Sequence, residues 1–178
     1  LTQAELDAWG WRIPFVIGAL LAVIAYLMRR DMHETEAFVS SGRRDGTAKA
    51  LLQHPREVAI VVGLTLGGTI AFYTFTTYMQ KFLVNTSGFP KDTATEIAAA
   101  ALFIYMLLQP VVGAISDVIG RRPVLVAFGV LGTLGTVPLL TTLAETRQPF
   151  MAFLLVMAGL VIVSGYTAIN AVVKAELF

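Results

Sequence analysis

The sequence contains no cysteine among its 178 residues, which excludes both a disulfide framework and a thiolate metal site. Charged residues are also scarce, at 14%, whereas hydrophobic residues make up 56%. Together with a mean hydropathy of +0.73, this balance lies outside the range of soluble globular domains. The formal net charge of +1 gives no indication of a nucleic-acid partner. The composition therefore predicts a protein whose partner is the lipid bilayer.

Five stretches contain no Asp, Glu, Lys, Arg or His, and we name them the first to fifth spans. They are residues 13–28, 58–80, 97–116, 123–144 and 148–173. A helix needs roughly 20 residues to cross the hydrocarbon core, and the first span reaches that length if Trp9 to Arg12 complete its outer turn. Backbone exposed to lipid must satisfy its own hydrogen bonds. The pattern predicts an all-α membrane protein with five transmembrane helices.

The first span could instead be a cleaved leader. Glu5 and Asp7 stand where a leader carries positive charge, which favours a membrane span. Because the chain begins with Leu1, we expect its natural start to lie upstream.

The lack of ionisable residues in the spans also limits the chemistry. Hydrolysis or group transfer inside the bilayer needs an acid, a base or a nucleophile pair, and these spans offer hydroxyls and amides only. The sequence has no phosphate loop, zinc spacing or nucleotide fingerprint. We therefore expect neither an enzyme nor a cofactor or metal, and a proton-carrying group would have to lie outside these spans.

Lysine and arginine are distributed unequally over the connections. If the spans alternate in direction, the larger group on one side is Arg29, Arg30, Arg43, Arg44, Lys49, Arg56, Arg121, Arg122 and Lys174. The smaller group on the other side is Arg12, Lys81, Lys91 and Arg147. Cytoplasmic connections carry the excess of basic residues, so we expect the larger group in the cytoplasm and residues 29–57 to form a long cytoplasmic loop.

Residues 113–122, GAISDVIGRR, fit the pattern GxxxDxxGRR and are expected to form a turn of about six residues between Ser116 and Pro123. Asp117 lies four residues before Arg121, close enough to pair with it. Gly113 and Gly120 permit close backbone approach and unusual torsions. The alternative is that the charges only set topology, which requires arginine but neither the aspartate nor the glycines.

This motif resembles the cytoplasmic signature of the major facilitator superfamily of secondary transporters. The segments GWRIPF at 10–15, FYTFTTYMQKFLVNT at 72–86 and LVIVSGYTAINAVVKAELF at 160–178 resemble the metabolite:proton symporters, and among them the α-ketoglutarate permeases. The resemblance implies a partial major-facilitator-type bundle. Residues 1–28 would be equivalent to the sixth helix, 29–57 to the cytoplasmic central loop, and 58–178 to helices seven to ten of twelve.

The resemblance also implies a function and a mechanism. The function would be proton-coupled symport of α-ketoglutarate or a related dicarboxylate across the inner membrane, together with transporter helices missing from this chain. The alternatives are symport of another organic acid or a zwitterionic osmolyte, and an inactive truncated fragment. The motif would form a cytoplasmic latch that Glu176 joins by pairing with Arg121 or Arg122. Its predicted residues are Gly113, Asp117, Gly120, Arg121, Arg122 and Glu176.

Polar residues form stripes on three spans. On the second span, Thr65, Thr69, Tyr73, Thr76 and Gln80 fall within an arc of about 80° on an ideal helix. Such a stripe faces a neighbouring helix or a water-filled cavity, and the size of Tyr73 and Gln80 favours the cavity. The third span carries Tyr105 and Gln109 beside Pro110, and the fifth carries Ser164, Thr167, Asn170 and Lys174. For these two spans, helix packing and ligand contact remain equally open.

A dicarboxylate needs cations, yet Arg12, Lys81 and Lys174 all lie near span ends. The resemblance implies a binding role for Arg12 in WRIPF, while interfacial snorkelling is the alternative. The predicted substrate-binding residues are Arg12, Tyr73, Thr76, Gln80, Tyr105, Gln109 and Asn170.

Overall fold

The structure is a computed structural model, and it describes residues 2–30 and 54–176. The chain divides into two compact units, residues 1–50 and 51–178, which are described one at a time. Most of the predicted cytoplasmic loop at 29–57, including Arg43, Arg44 and Lys49, lies outside the described residues.

The first unit contains a short amphipathic start and one long apolar helix. Its elements are α1 (Gln3–Ala8), a 3-10 turn (Gly10–Arg12) and α2 (Ile13–Arg30). A capping box between Thr2 and Glu5 begins α1, since each satisfies a backbone N–H of the other. The hydrogen bonds that the Thr2 backbone and side chain donate also lower the pKa of the Glu5 carboxyl.

The second unit consists of four helical spans. Its elements are α3 (Pro55–Tyr73), a π-helical segment (Thr74–Tyr78), α4 (Met79–Asn85), α5 (Lys91–Ile119), α6 (Arg121–Glu145), α7 (Pro149–Thr167) and α8 (Asn170–Glu176). The second span comprises α3, the π-helical segment and α4. The third and fourth spans are α5 and α6, and the fifth comprises α7 and α8.

Five helical stretches among the described residues are long and apolar enough to cross a membrane, which confirms the predicted number. They are Gly10–Arg30, Pro55–Asn85, Lys91–Ile119, Arg121–Glu145 and Pro149–Glu176. Each extends beyond the charge-free run that predicted it at one or both ends. The reason is that charge marks where the hydrocarbon ends, whereas a helix continues into the headgroup region until its backbone geometry changes.

The fifth span is the centre of the second unit, where it packs against the second, third and fourth spans. Two glycines permit the closest approaches. A Cβ on Gly159 would overlap the ring of Phe75, and a Cβ on Gly68 would overlap the ring of Tyr166. On the fourth span, Gly135 faces Ile162, with 3.5 Å between its Cβ position and that side chain. Small residues therefore let large side chains fill the interfaces, as expected where lipid supplies no hydrophobic drive between helices.

The second span is not a continuous α-helix. In the π-helical segment Thr74–Tyr78, each turn contains about one extra residue. The insertion places Phe75, which is 5% exposed, in the core against Gly159. It also rotates the residues that follow by up to about 100°. The predicted single arc from Thr65 to Gln80 assumed a regular helix, and it is wrong for that reason.

The end of the unit opposite the GxxxDxxGRR motif is closed by hydrogen bonds between two loops. The Ser87 hydroxyl, fully buried, donates to the Leu143 carbonyl at 2.8 Å. Arg147 Nη1 donates to the carbonyls of Ser87 and Ala144, each at 2.8 Å. The guanidinium thus satisfies the Ala144 carbonyl, which the end of the fourth span leaves without a helical partner, and ties it to the loop after the second span.

We expect Gly159→Ala to lower the thermal unfolding midpoint of the protein expressed from its complete reading frame and purified in detergent. Overpacking costs about 1–3 kcal/mol, which exceeds the gain of up to about 1 kcal/mol that alanine brings over glycine in a helix. Gly63→Ala is the matched control, since no heavy atom lies within 4 Å of its Cβ position. Equal midpoints for the two variants would contradict the packing of Phe75 on Gly159.

Candidate functional site

The GxxxDxxGRR motif lies where the third span ends and the fourth begins. The third span continues to Ile119 and the fourth begins at Arg121, so the predicted six-residue turn between Ser116 and Pro123 is wrong. Gly120 alone connects the two helices, with φ of +92° and ψ of 152°. A residue with a Cβ rarely adopts this conformation. The tight connection therefore depends on glycine, and it fixes the distance between Asp117 and Arg121.

Arg121 lies between two carboxylates. Its Nη1 is 2.7 Å from Glu176 Oε1, and its Nη2 is 3.6 Å from Asp117 Oδ1. The predicted pairing of Glu176 with one of the two arginines is thus present, and it joins the fourth span to the fifth. The Asp117 side chain is 72% exposed, against 35% for Arg121. Among the described residues, no carboxylate lies within 4 Å of Arg122.

Gly113, the first glycine of the motif, behaves differently from Gly120. It lies inside a regular helix, and no heavy atom lies within 4 Å of its Cβ position. The close backbone approach predicted for Gly113 is therefore wrong for the part of the chain that the structure describes.

Three predicted binding residues meet at one point between the third and fifth spans. The Tyr105 hydroxyl lies 2.6 Å from Thr167 Oγ1, and the Thr167 hydroxyl donates to Gln109 Oε1 at 2.9 Å. Because Thr167 has one hydroxyl proton, Tyr105 is the donor in the first bond when Thr167 donates to Gln109. Gln109 Nε2 donates to the Tyr105 carbonyl at 3.1 Å, and Asn170 Nδ2 donates to the Thr167 carbonyl at 3.3 Å. We call these four residues the polar network.

The polar network lies beside an interruption of the fifth span. Helix α7 ends at Thr167 and α8 begins at Asn170, which leaves Ala168 and Ile169 in a turn. Interrupted membrane helices release backbone carbonyls, and they are tolerated where polar partners or cavities lie nearby. Here the Asn170 amide supplies one such partner.

The predicted binding residues of the second span are dispersed. Tyr73 is 57% exposed, and the Thr76 hydroxyl donates to the Phe72 carbonyl of its own helix at 2.6 Å. Gln80 Nε2 reaches the third span and donates to Thr95 Oγ1 at 2.7 Å. Within the described residues, no hydrogen bond joins them to the polar network.

Arg12, in the first unit, has local partners. Its Nη1 donates to the Ala8 carbonyl at 2.9 Å, and its guanidinium carbon lies 4.6 Å from the centroid of the Trp11 ring. Both contacts are typical of an arginine at the membrane interface.

A cavity of about 310 Å³ opens between the second and fourth spans. Its walls include no predicted binding residue; they are formed by Gly67, Ile70, Ala71, Thr74, Phe75, Phe128, Gly129, Gly132, Thr133 and Thr136. The three threonine hydroxyls donate to carbonyls of their own helices. They consequently present acceptors to the cavity and no free donors, which does not suit a carboxylate.

Sequence patterns identified some of these partners and missed others. Thr167 belongs to the polar stripe of the fifth span, but it was not among the predicted binding residues. Thr95, the partner of Gln80, lies before the apolar run of the third span. A search for polar residues inside apolar runs therefore excludes it.

The five apolar helices define a multi-pass α-helical membrane protein. The Major Facilitator Superfamily model matches residues 4–177, and the chain belongs to that superfamily. It is 48% identical over its whole length to the alpha-ketoglutarate permease of Escherichia coli K12, of which it covers 41%. It is also 32% identical over 93% of its length to the citrate-proton symporter of Klebsiella pneumoniae, covering 38% of that protein.

A more distant relative transports a different class of solute. The chain is 31% identical, over 65% of its length, to the proline/betaine transporter of Salmonella typhimurium, of which it covers 26%. The chain thus spans about two-fifths or less of the length of these relatives. No solved structure matches it. The relatives named here are all transporters.

We expect Tyr105→Phe and Thr167→Val each to lower stability by about 1 kcal/mol or less, the usual range for hydrogen bonds between membrane helices. The double variant should cost less than the sum, because each change breaks the same bond. Thermal unfolding in detergent measures this. Tyr78→Phe is the matched control, since Tyr78 is 53% exposed and forms no hydrogen bond among the described residues. Strict additivity would contradict the direct contact.

Proposed function

We propose that this chain is part of a proton-coupled symporter that carries α-ketoglutarate or a related dicarboxylate across the inner membrane. The observation that carries the proposal is the 48% identity to an alpha-ketoglutarate permease along the whole chain. The lower identity to a citrate-proton symporter keeps a second organic acid as the alternative substrate. The more distant similarity to a proline/betaine transporter makes a zwitterionic osmolyte the second alternative substrate.

Residues 1–28 are then equivalent to the sixth helix, 29–57 to the central loop and 58–178 to helices seven to ten. The motif end of the second unit, meaning the end that carries Asp117 and Arg121, faces the cytoplasm, in agreement with the excess of basic residues on that side. Alternating access requires two helical halves that move about a shared site. The remaining helices must complete that site and supply the group that carries the proton.

The polar network and Gln80 are proposed to contribute to the substrate pathway, together with Tyr73, Thr76 and Arg12. Two features support the network: hydroxyl and amide groups concentrated on facing helices, and the interrupted helix beside them. Tyr105 is 7% exposed, so its part is to position Thr167 and Gln109. Because its contacts are local, Arg12 would have to leave Trp11 and Ala8 to bind a substrate.

The motif is proposed to act as a latch between this unit and the opposing half of the transporter. Asp117 is the group of the latch that is exposed to the opposing half. Exposed ion pairs contribute about 0–1 kcal/mol, so the 3.6 Å contact between Asp117 and Arg121 is too weak to hold a conformation by itself. The shorter bond to Glu176 fixes Arg121 and leaves the Asp117 carboxylate exposed. That carboxylate is available to a helix N-terminus or a cation on the opposing half in one conformation.

The proposed function is tested by uptake of radiolabelled α-ketoglutarate into proteoliposomes that contain the protein expressed from its complete reading frame. We expect uptake that rises with an inward proton gradient and collapses when a protonophore dissipates it. Unlabelled citrate and glycine betaine serve as competitors, because they represent the two alternative substrate classes. Uptake of radiolabelled glycine betaine, with no uptake of radiolabelled α-ketoglutarate, would contradict the proposed substrate class.

We expect Asp117→Asn to reduce the initial uptake rate at least fivefold while membrane insertion and the thermal unfolding midpoint stay unchanged. The substitution removes the charge of an exposed side chain and leaves the bond between Arg121 and Glu176 in place. Asp92→Asn is the control, since Asp92 is an exposed carboxylate at the other end of the third span. Wild-type uptake by Asp117→Asn would contradict the latch.

A further inference from the structure

We propose that Lys174 binds a carboxylate of the substrate in the transport pathway, which the substrate enters from the motif end. This proposal rests on the proposed function. Sequence position alone puts Lys174 at the end of the fifth span, two residues before Glu176. The structure places its ammonium further back along the span, beside the ring of Tyr166. Lys174 Nζ lies 6.0 Å from the centroid of the Tyr166 ring, eight residues back along the chain.

The direction of the Lys174 side chain is the first reason. Side chains of a helix lean towards its N-terminus, and the fifth span ends at the motif end, so Lys174 leans into the membrane. A lysine near a span end ordinarily extends outwards to the headgroups. Tyr166 lies seven residues before the end of the charge-free run at Val173. At 1.5 Å per residue this is roughly 10 Å, about a third of the hydrocarbon thickness.

The rigidity of the Tyr166 ring is the second reason. Its edge contacts Gly68 of the second span, where a Cβ would overlap it. It also stacks on Phe128 of the fourth span, with 5.5 Å between ring centroids and 28° between planes. Tyr166 is 5% exposed. A ring fixed on two sides gives the ammonium a defined position where three spans meet.

The charge balance of Lys174 is the third reason. Arg121 has two carboxylate partners, whereas no carboxylate among the described residues lies within 4 Å of Lys174 Nζ. The Lys174 side chain is partly buried, and a cation in such a place needs compensation. Attraction to the aromatic face of Tyr166 supplies part of that compensation. An anion that enters the pathway would supply the remainder, and a carboxylate offers both charge and hydrogen-bond acceptors.

The surroundings of Lys174 suit a bound carboxylate, whereas the cavity between the second and fourth spans does not. The threonine hydroxyls of that cavity already donate to their own helices, and neither Tyr166 nor Lys174 lines it. The ammonium of Lys174 offers a carboxylate the hydrogen-bond donors that the cavity lacks.

The test compares Lys174→Gln, Lys174→Arg and the control Lys91→Gln in the protein expressed from its complete reading frame. The control removes a lysine that is exposed at the opposite end of the third span. Binding of α-ketoglutarate is measured by calorimetry in detergent, and uptake in proteoliposomes. We expect Lys174→Gln to raise Kd and KM at least tenfold, equivalent to about 1.4 kcal/mol, with a smaller change in maximal rate. Lys174→Arg and Lys91→Gln should stay within threefold of the wild type.

A charge-rescue variant tests the role of the Lys174 ammonium if Lys174→Gln folds poorly. Lys174→Cys, in a background without other cysteines, is treated with 2-aminoethyl methanethiosulfonate, which attaches an ammonium through a disulfide, or with its neutral methyl analogue. Recovery of affinity with the ammonium reagent alone supports the proposal. Unchanged Kd in Lys174→Gln, or equal recovery with both reagents, overturns it.

Binding and uptake by the wild type distinguish failure of the Lys174 proposal from failure of the proposed function. Wild-type protein that neither binds nor transports α-ketoglutarate contradicts the proposed substrate, and citrate then replaces it as the probe for the same variants. An active wild type with an insensitive Lys174→Gln overturns the Lys174 proposal alone.

Discussion

The absence of hydrogen-bond partners in lipid is the constraint on which the structure depends. Backbone groups must pair within the protein, so the described spans are helical from end to end apart from short local departures. Hydroxyls meet the same requirement by bonding back to carbonyls of their own helix, as Thr65, Thr133 and Thr136 do. Polar side chains that reach across to another helix are therefore exceptions. Among the described residues, such hydrogen bonds inside the spans occur in the polar network and at Gln80.

Departures from regular α-helix occur where large side chains must fit between closely packed spans. The π-helical segment inserts Phe75 against Gly159, and the turn at Ala168 and Ile169 lies next to the Thr167 hydroxyl. Local irregularities of this kind are common at functional positions. Both involve the fifth span, which contacts the other three spans of its unit. A small rearrangement of that helix would therefore affect its interfaces with all three.

The two ends of the second unit differ in the groups that their arginines bind. At one end Arg147 binds backbone carbonyls and closes the loops. At the other end Arg121 binds side-chain carboxylates, and Asp117 and Arg122 remain exposed. Bonds to backbone carbonyls hold regardless of protonation, whereas exposed charges are free to exchange partners. The charged side chains that can exchange partners therefore lie at the motif end.

Sequence by itself determined the number of spans, the all-helical class and the pairing of Asp117 with Arg121, because these follow from the length of charge-free runs and from near-neighbour spacing. The superfamily followed from the resemblance of the motif, which left the partner of Glu176 open between Arg121 and Arg122 until the structure placed it on Arg121. Tertiary structure decided the single-residue connection at Gly120, the π-helical rotation of the second span, and the meeting of Tyr105 with Thr167. It also decided that the Lys174 ammonium turns inwards. Apart from the connection at Gly120, which depends on the conformational freedom of glycine, each of these depends on how side chains from different spans fit together, because packing against a neighbour overrides the ideal periodicity on which sequence patterns rely.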